Sequence, residues 1–516
     1  MYQTDAFMIH RLLILLSVLL SYAAITKAQD SCRTEITCDL STEAAVGSGD
    51  FTAYQLVTNR HHVLSTRSNT AYLRGAVNIR HAFTDDLSIS GCVDAIGSIH
   101  ADHKFYLQQC YANLSFKKFF LEFGAREHAA VVRNDLLSIG SFTKGTNAKP
   151  FAQLHIGTNG FWDVPFTRKW IQVDFDGGYG RFLDGNYRED AFYRGETPNG
   201  NLNSYYATGI YLHQKHLYIR TNPEKRFFAM VGIEHMAQFG GTKYMYARNA
   251  DGTLSLQSKS KAVDLKNIWG VFLCRGDKNY FENGSPEDWV YGNHVGVMTA
   301  QIGWNINSNH QVQAYLDNPF EDGSGIRKGN GWDGLWGVEY KNRSEGRQYV
   351  RGVVAEYFQS TNQSGPLHWD GNDYPEPMRS QISDFVVGND NYYNNSCYNS
   401  YTHYGMTPGI ALITSPIYNK DGFTQFRDNR VRAWHLGVNG EVTERLSYLV
   451  KGSYREGKGT YFMPLPQKQH SLDVMIQGNY SLGSWQFSAA FAFDKGNIYG
   501  DCYTFNIKIG YHGKIL

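Results

Sequence analysis

The sequence predicts an all-β fold, a transmembrane antiparallel β-barrel of the outer-membrane type with about 18 strands. Three observations predict it: a secretion signal, strands that alternate apolar and polar residues, and connections of two length classes. Residues 503–511 show the alternation, because the odd-numbered side chains from Tyr503 to Tyr511 are aromatic or aliphatic and the even-numbered ones are polar or small. Such a strand requires an apolar phase on one face and water on the other.

The N-terminus has the features of a signal peptide over residues 1–28. A short polar start that includes Arg11 precedes an apolar run over 12–25, and small residues follow up to Ala28. The run is too short to cross a membrane as a helix, so we expect cleavage and export. Residues 29–50 are rich in Ser, Thr, Ala and Gly and lack strand alternation. A periplasmic lead-in or plug segment is therefore expected there, followed by the barrel over 51–516.

The composition narrows the class of protein without deciding it. Aromatic residues make up 15% of the chain, yet the mean hydropathy is −0.43, as expected when every second strand residue faces a wet lumen. A secreted soluble β-protein, such as a glycan hydrolase, shares this composition. Lys and Arg total 49 against 48 acidic residues, so no bulk field favours nucleic acid as a partner. The seven cysteines are too few for a disulfide scaffold, and pairing of Cys32 with Cys38 is left open.

Alternating segments recur along the chain, and many approach the length of about 9–11 residues that a tilted strand needs to cross a bilayer. The clearest lie at 227–233, 434–438, 446–454, 472–480 and 485–493. Weaker ones lie at 71–80, 87–98, 104–115, 118–124, 151–159, 169–176, 205–220, 293–306, 310–316, 334–341, 347–358 and 405–417. An even strand number also requires a strand before Tyr72 and one inside 361–404, near 382–387.

The connections between these segments alternate in length. Short joints occur near residues 84–86, 222–225, 308–309, 342–345, 443–444 and 482–483. Between them lie long polar segments at 127–150, 178–203, 238–292, 318–333, 360–404 and 456–468. Short turns at one rim and long loops at the other are typical of an outer-membrane barrel, and a soluble sandwich has no reason to sort its loops in this way.

No enzyme, cofactor or metal is expected from the motifs of the sequence. It contains no nucleophile elbow, no glycine-rich phosphate loop and no zinc-ligand spacing. The histidines at 61–62 and at 100 and 103 lack acidic or thiol partners at ligand spacing. Glu234 and His235 could form an acid–base pair, but a polar strand end near the rim is the preferred interpretation.

Sugar binding has more support from the long connections. Carbohydrate sites stack sugar faces on Trp and Tyr and hold hydroxyl groups with Asn, Asp, Glu, Gln and Arg, and these connections are rich in both kinds. Loops above any outer-membrane barrel share that composition for turn and girdle reasons, which is the alternative explanation. The arginines, including Arg327, could meet acidic sugars. The candidate glycan contacts are Arg188, Tyr193, Arg194, Glu234, His235, Trp332, Trp369, Tyr392 and Tyr393.

Four blocks of the chain resemble the capsule assembly Wzi family, in the form it takes in Bacteroidota-like bacteria. They are LHQKHLYIR at 212–220, GIEHMAQFGG at 232–241, YLDNPFEDGSG at 315–325, and DNYYNN at 390–395 with the Tyr-Gly and Pro-Gly-Ile that follow at 404–410. The resemblance covers roughly 51–516. It implies an eighteen-stranded outer-membrane barrel with a small helical part on the periplasmic side, which acts as a lectin that anchors capsular polysaccharide and is neither an enzyme nor the main export channel.

The expected function is therefore that of an outer-membrane barrel, in contact with lipid, that binds capsular polysaccharide or exopolysaccharide at the cell surface. Two alternatives stay open: a passive channel with a conducting lumen, and an outer-membrane hydrolase. The sugar and the oligomeric state are not predicted.

Overall fold

The computed structural model describes residues 34–197, 200–261, 263–274, 292–321, 323–363, 390–395 and 397–516. Eighteen long strands form one antiparallel sheet that closes on itself, which confirms the predicted fold class. The strands are β1 Thr34–Ser48, β2 Thr70–Ala82, β3 Leu87–Ile99, β4 Phe105–Phe116, β5 Phe119–Ala125, β6 Ala152–Thr158, β7 Ile171–Arg181, β8 Tyr211–Thr221, β9 Phe227–Phe239, β10 Asn293–Asn305, β11 His310–Phe320, β12 Gly334–Asn342, β13 Gly352–Gln359, β14 Val431–Glu441, β15 Leu446–Gly459, β16 Pro464–Leu482, β17 Trp485–Gly496 and β18 Cys502–Lys514.

The ring closes between the first and the last strand. β1 pairs with β18 in an antiparallel ladder that runs from Thr37 opposite Lys514 to Ser48 opposite Tyr503. Every other barrel strand pairs with its neighbours in sequence, including β13 with β14 across a connection of more than 60 residues. The sheet therefore has no free edge, which removes the open row of N–H and C=O groups that an edge strand exposes.

In the part of the chain that the structure describes, the connections contain four short helices: α1 Tyr54–Val57, α2 Tyr187–Arg194, α3 Leu265–Phe272 and α4 Gly323–Ile326. They also contain a 3₁₀ turn at Pro416–Tyr418 and short strands at Trp162–Asp163, Glu196–Thr197, Gly200–Asn201, Tyr205–Thr208, Gly241–Arg248, Leu254–Lys261, Asn394–Asn395 and Asn399–Ser400. Within the described ranges, no helix has both the length and the apolar character needed to cross a bilayer.

The outer face of the barrel is apolar, as the alternation predicts. On β18, Tyr503, Phe505 and Ile507 are each more than 40% exposed, whereas Thr504 and Asn506 between them are buried against the interior. Aromatic side chains group at two levels of this face, with Tyr357, Trp434 and Tyr454 in one row and Phe227, Trp304, Trp485 and Tyr511 in another. Such rows are typical of the two interfaces of a membrane-spanning barrel.

The connections are sorted by length between the two ends of the barrel. The short-turn end carries connections such as 117–118, 222–226 and 483–484, together with the outer ends of β1 and β18. The opposite end, here named the long-loop end, carries the connections 49–69, 126–151, 182–210, 240–292, 321–333 and 360–430, with shorter ones at 100–104, 460–463 and 497–501. The predicted sorting is confirmed, except that 456–468 is mostly strand.

Residues 34–48 form barrel strand β1, where the sequence led us to expect a lead-in or plug segment over 29–50. The strand required before Tyr72 is thus this one. Its outward side chains mix Leu40 and Val46 with Thr42 and Ala44, so the contrast between its two faces is weak. Cys38 lies on β1 as a free thiol, and Cys32 lies outside the described residues.

One of the other expected strands does not join the barrel as predicted. Residues 405–417 form turns and a 3₁₀ turn instead of a strand, because Pro408, Gly409 and Pro416 interrupt the segment and its apolar side chains pack into the interior. The strand proposed near 382–387 lies outside the described residues. The barrel reaches an even number without either, since β13 pairs directly with β14.

Candidate functional site

The lumen of the barrel is occupied by parts of its own long connections. We name residues 51–66 the N-terminal lumen segment, residues 131–149 the central lumen segment, and residues 390–430 the covering segment. Each enters from the long-loop end and bonds to side chains that point inward from the strands. The sequence predicts a periplasmic lead-in or plug segment over 29–50, but the described lumen segments come from later connections. Among their elements only α1 is an α-helix.

The N-terminal lumen segment is held against the wall near the closure of the ring. The backbone N–H of Ala53 donates to Thr504 Oγ1 at 2.9 Å, and that of Tyr54 donates to Asp494 Oδ2 at 2.8 Å. Arg60 pairs with Glu43 of β1 at 2.7 Å, so this buried carboxylate is matched by a cation. Because these partners lie on β1, β17 and β18, the segment braces the seam from inside.

The central lumen segment crosses the lumen and contacts six successive strands, β9 to β14. Its polar groups find partners on every one of these strands, which fixes the segment across the full width of that half of the barrel. The contacts join Ser141 to Glu234 at 2.5 Å, Arg133 to Thr299 at 2.8 Å and to Asp317 as a buried ion pair, Asn134 to Glu339 at 2.8 Å, Ser138 to Glu356 at 2.6 Å, and the carbonyl of Leu137 to His435 at 2.7 Å.

The covering segment packs a cluster of aromatic rings on top of the central lumen segment. Tyr393 donates its hydroxyl proton to the carbonyl of Phe142 at 2.5 Å and accepts from the N–H of Ile410 at 3.1 Å. Tyr401 donates to the carbonyl of Thr143 at 2.8 Å. A Cβ added at Gly409 would lie 2.5 Å from the carbonyl oxygen of Phe142, so the close approach of the two segments requires glycine there.

Charged groups buried beside these segments are individually compensated. Burial opposes ionisation of Asp102, but hydrogen bonds from His62, Ser65 and Thr66 hold the pKa of its carboxyl well below the usual value. Burial lowers the pKa of Lys149 well below its usual value, and its ammonium lies 3.2 Å from the centroid of the Tyr106 ring. Asp102 thus ties the N-terminal lumen segment to the β3–β4 connection, and Lys149 of the central lumen segment contacts β4.

His403 of the covering segment is a buried imidazole with a defined protonation state. Its Nδ1 accepts the N–H of Leu183 at 3.0 Å, and its Nε2 donates to the carbonyl of Pro150 at 3.3 Å. Burial lowers the pKa of His403 to about 3, and the hydrogen bond to Pro150 only partly offsets that effect. The folded protein therefore keeps the imidazole of His403 in its neutral form.

We expect acid to destabilise the protein through His403. Because its folded-state pKa is depressed below an unfolded value of about 6.5, its contribution is fully present above pH 6.5 and is lost as the pH falls toward 3. The proton taken up by this imidazole on unfolding lowers the unfolding free energy by about 2 kcal/mol between pH 6.5 and pH 4.5. His403→Asn, which keeps an acceptor for Leu183, is expected to reduce the fall in melting temperature over this interval. The measurement is thermal unfolding in detergent at both pH values, and equal falls in the two proteins would contradict the prediction.

The long-loop end carries an aromatic surface built from two connections. The short strands Tyr205–Thr208, Gly241–Arg248 and Leu254–Lys261 form a small sheet, and α2 packs against its first strand. We name Tyr193, Tyr206, Tyr244 and Tyr246 the tyrosine surface. The rings of Tyr206 and Tyr244 stack with centroids 4.8 Å apart, and Tyr246 stacks on Phe192 at 5.5 Å.

The exposure of the tyrosine surface is graded. Tyr193 is 43% exposed, Tyr244 and Tyr246 are half-buried, and Tyr206 is buried beneath them. The exposed side chains of Arg194 and Arg248 lie on the same two elements, α2 and the second short strand. Rings fixed in this way present flat apolar faces to solvent beside hydrogen-bond donors, which suits a ligand with both apolar faces and hydroxyl or acidic groups.

The predicted contact residues divide between this surface and the interior. Tyr193 and Arg194 are exposed at the tyrosine surface. Arg188 is buried, where it bonds to Asp184 at 3.2 Å and to the carbonyl of Thr402 at 3.0 Å, so it joins α2 to the covering segment. Tyr392 and Tyr393 are completely buried in the same segment. These three side chains are engaged by the protein itself.

Glu234 and His235 point to opposite sides of the wall, as neighbours on a strand must. Glu234 faces the lumen and accepts from Ser141, Thr143 and Tyr218. His235 faces outward and bonds to His294 at 2.8 Å. The two side chains therefore do not form an acid–base pair.

Trp332 is 73% exposed and packs on Trp336, with ring centroids 5.4 Å apart. Trp336 is an outward residue of β12 and lines the same outer groove as Tyr357 and Trp434, so Trp332 extends an aromatic row of the outer face. This position favours contact with the membrane interface. Arg327 is exposed in the turn after α4, and Trp369 lies outside the described residues.

Tyr206, Tyr244 and Tyr246 are not among the residues predicted from the sequence. The available signal was the alternation of Lys243 to Arg248 within a long polar connection, which indicates a short strand with two tyrosines on one face. For the central lumen segment the signal was the apolar Leu137, Ile139 and Phe142 in an otherwise polar loop, since such residues require a place to be buried.

Comparison with known proteins bears on the fold. No family model matches the sequence, and no curated protein sequence matches it either. The solved structure of Escherichia coli Wzi, described as an outer-membrane protein involved in group 1 capsule assembly and as a carbohydrate-binding β-barrel, is similar over 92% of this chain and 84% of its own, with a TM-score of 0.51 and 11% sequence identity. The fold is that of an outer-membrane β-barrel.

Two further structures are similar at lower scores. Pseudomonas aeruginosa OccK5 is similar over 94% of this chain and 98% of its own, with a TM-score of 0.45 and 9% identity. Pseudomonas aeruginosa OprD covers 94% and 96%, with a TM-score of 0.44 and 8% identity. The argument for the fold rests on the similarity to Escherichia coli Wzi, which at 11% identity does not identify a ligand.

Proposed function

We propose that this outer-membrane barrel is a non-enzymatic, non-conducting lectin of the Wzi type that anchors capsular polysaccharide or exopolysaccharide at the cell surface. The observation that carries the proposal is the combination of a lumen filled by its own connections with an aromatic surface at the long-loop end. In outer-membrane barrels that end faces the outside, where surface polymers lie. The carbohydrate binding stated for Escherichia coli Wzi supports the same conclusion.

The tyrosine surface is the proposed binding region. Tyr193, Tyr244 and Tyr246 would stack on sugar faces, while Arg194 and Arg248 would pair with acidic groups of the polymer. Each contact is weak, but a repeating polymer presents the same unit many times to an array of barrels. Retention of the polymer then depends on multivalency and not on a deep pocket.

The double variant Tyr193→Ala, Tyr246→Ala is expected to weaken polysaccharide binding by about 1–3 kcal/mol, or about 5- to 150-fold, because each ring contributes about 0.5–1.5 kcal/mol. The measurement is binding of detergent-solubilised protein to a panel of immobilised acidic and neutral bacterial polysaccharides. Tyr349→Ala is the matched control, since Tyr349 is 63% exposed but lies at the short-turn end. Equal binding by the double variant and the control would contradict this assignment.

A cellular experiment tests the function separately from the residues. Cells that lack the protein are expected to synthesise polymer but to release it into the medium, and the wild-type protein should restore retention. If the deletion strain retains as much polymer as the wild-type strain, the anchoring proposal is wrong, whatever the result of the binding assay.

A further inference from the structure

We propose that His235, Cys274 and His294 form a binding site for a thiophilic divalent cation such as Zn²⁺ on the outer face of the barrel. His235 lies on β9, His294 on β10, and Cys274 follows α3 in the connection between these two strands. One ligand atom from each residue lies within 4.8 Å of the other two. The three residues are 39 and 20 positions apart in the sequence, so no short motif announces them.

The distances between the donor atoms suit a tetrahedral metal centre. Cys274 Sγ is 3.4 Å from His235 Nε2, and His235 Nε2 is 2.8 Å from His294 Nδ1. Around Zn²⁺, with Zn–N of about 2.0–2.1 Å and Zn–S of about 2.3 Å, such pairs are separated by about 3.3–3.6 Å. The nitrogen–sulfur distance already agrees, and the two imidazoles need to separate by only about half an ångström.

The three proposed ligands belong to a polar region of the outer face of the barrel. The register places Lys215, His235 and Gly296 in one outward row, and His213, Ala237 and His294 in the next. The rows nearer the short-turn end are apolar, with Leu217, Ile233 and Met298 side by side. The titratable rows thus interrupt an otherwise apolar outer face, at a place where polar side chains are costly unless they are satisfied.

Helix α3 covers this interruption. Its Val271 is buried against Ala237 and Phe239, and Ile268 packs on the same cluster. The ammonium of Lys215 donates to the carbonyl of Phe272 and lies 3.7 Å from Cys274 Sγ. Leu265 and Trp269 remain 84% and 57% exposed on the other side of the helix. A metal ion at this site would hold the amphipathic helix α3 against the outer face of the barrel.

The side chain of His235 is buried and directed toward the other two residues of the cluster. It is 1% exposed, and its Nε2 faces both His294 and Cys274. Its Nδ1 has no hydrogen-bond partner within the described part of the chain. Cation binding releases the thiol proton of Cys274, and the proton now shared by the two imidazoles moves to the opposite nitrogen of its ring. Two imidazoles and a thiolate then hold the ion, and a water can complete the tetrahedron on the exposed side of Cys274.

The test uses Co²⁺ as a spectroscopic substitute for Zn²⁺ on the full-length protein in detergent. We expect a stoichiometric complex with a near-ultraviolet thiolate-to-cobalt charge-transfer band and intense visible bands of a tetrahedral ion. Cys274→Ser is expected to abolish the charge-transfer band, and His294→Asn to weaken Co²⁺ binding at least about tenfold. Cys38→Ser, which removes a free thiol on β1, should leave the spectrum unchanged.

A second measurement does not depend on the variants. Zn²⁺ is expected to slow tryptic cleavage at Lys266 of α3 at least about tenfold in the wild-type protein, because binding to the folded form opposes local opening. Retention of the heat-modifiable gel shift by each variant shows that the barrel has folded. Absence of Co²⁺ binding by the wild-type protein, or a complex that Cys274→Ser leaves unchanged, overturns the proposal.

Discussion

Replacing residues 130–149 with a short Gly/Ser linker is expected to turn a closed barrel into a conducting pore. The central lumen segment bonds to inward side chains of β9 to β14 and fills that half of the lumen. Barrels of about 16 to 18 strands enclose an aqueous channel when no polypeptide segment fills them. We therefore expect the wild-type protein to show little steady conductance in a planar bilayer and the variant to show at least about tenfold more.

The matched control replaces the hairpin between Gly241 and Lys261 with the same short Gly/Ser linker. This hairpin lies at the long-loop end outside the lumen. That variant should conduct no more than the wild-type protein. Steady, large openings in the wild-type protein would contradict the closed lumen and favour the passive channel that the sequence left as an alternative. Equal conductance in all three proteins, at a low level, would show that the N-terminal lumen segment and the covering segment close the barrel by themselves.

The second large effect is expected at Arg455. This guanidinium is completely buried on β15, where it pairs with Asp473 at 2.8 Å and donates to the hydroxyl of Tyr499 at 2.7 Å. The Tyr54 ring lies 4.1 Å from its central carbon, so it also fixes α1 in the lumen. Arg455→Met is expected to cost about 3–5 kcal/mol of unfolding free energy, because it leaves Asp473 buried without its cation.

Unfolding by urea in detergent, followed by tryptophan fluorescence and by the gel shift, measures this cost. The double variant Arg455→Met, Asp473→Asn should recover part of it, since the uncompensated charge is then removed as well. Lys420→Ala serves as the control, because the Lys420–Asp50 pair is more than 60% exposed on both sides and contributes about 0–1 kcal/mol. An Arg455→Met variant no less stable than Lys420→Ala would show that the buried pair does not hold α1 in place.

The strands could be predicted where one face is consistently apolar. Segments such as 485–493 have apolar residues at every outward position, four of the five aromatic, and hydrocarbon on that side leaves little choice of register. Strand β1 was missed because its outward positions include Thr42 and Ala44, so its pattern resembles a polar lead-in. Residues 405–417 misled for the opposite reason: their apolar side chains pack inside the lumen, where no alternation is required.

The filling of the lumen could not be read from the sequence, because it depends on contacts between distant residues. Ser138 and Glu356 are 218 positions apart, and Leu137 and His435 are 298 apart. A polar loop that enters a barrel and one that stays outside have the same local composition. The candidate contacts Arg188, Tyr392 and Tyr393 were chosen by residue type, which is the same for a ring that stacks on sugar and a ring that holds two loops together.

The bracing of the β1–β18 seam has a consequence for traffic through the wall. Some barrels release hydrophobic cargo sideways by unzipping two neighbouring strands. Here, separation of β1 from β18 would also break the hydrogen bonds from Ala53 to Thr504 and from Tyr54 to Asp494. These bonds join the N-terminal lumen segment, which follows β1, to β17 and β18. These two bonds therefore oppose a lateral opening of the wall at this junction.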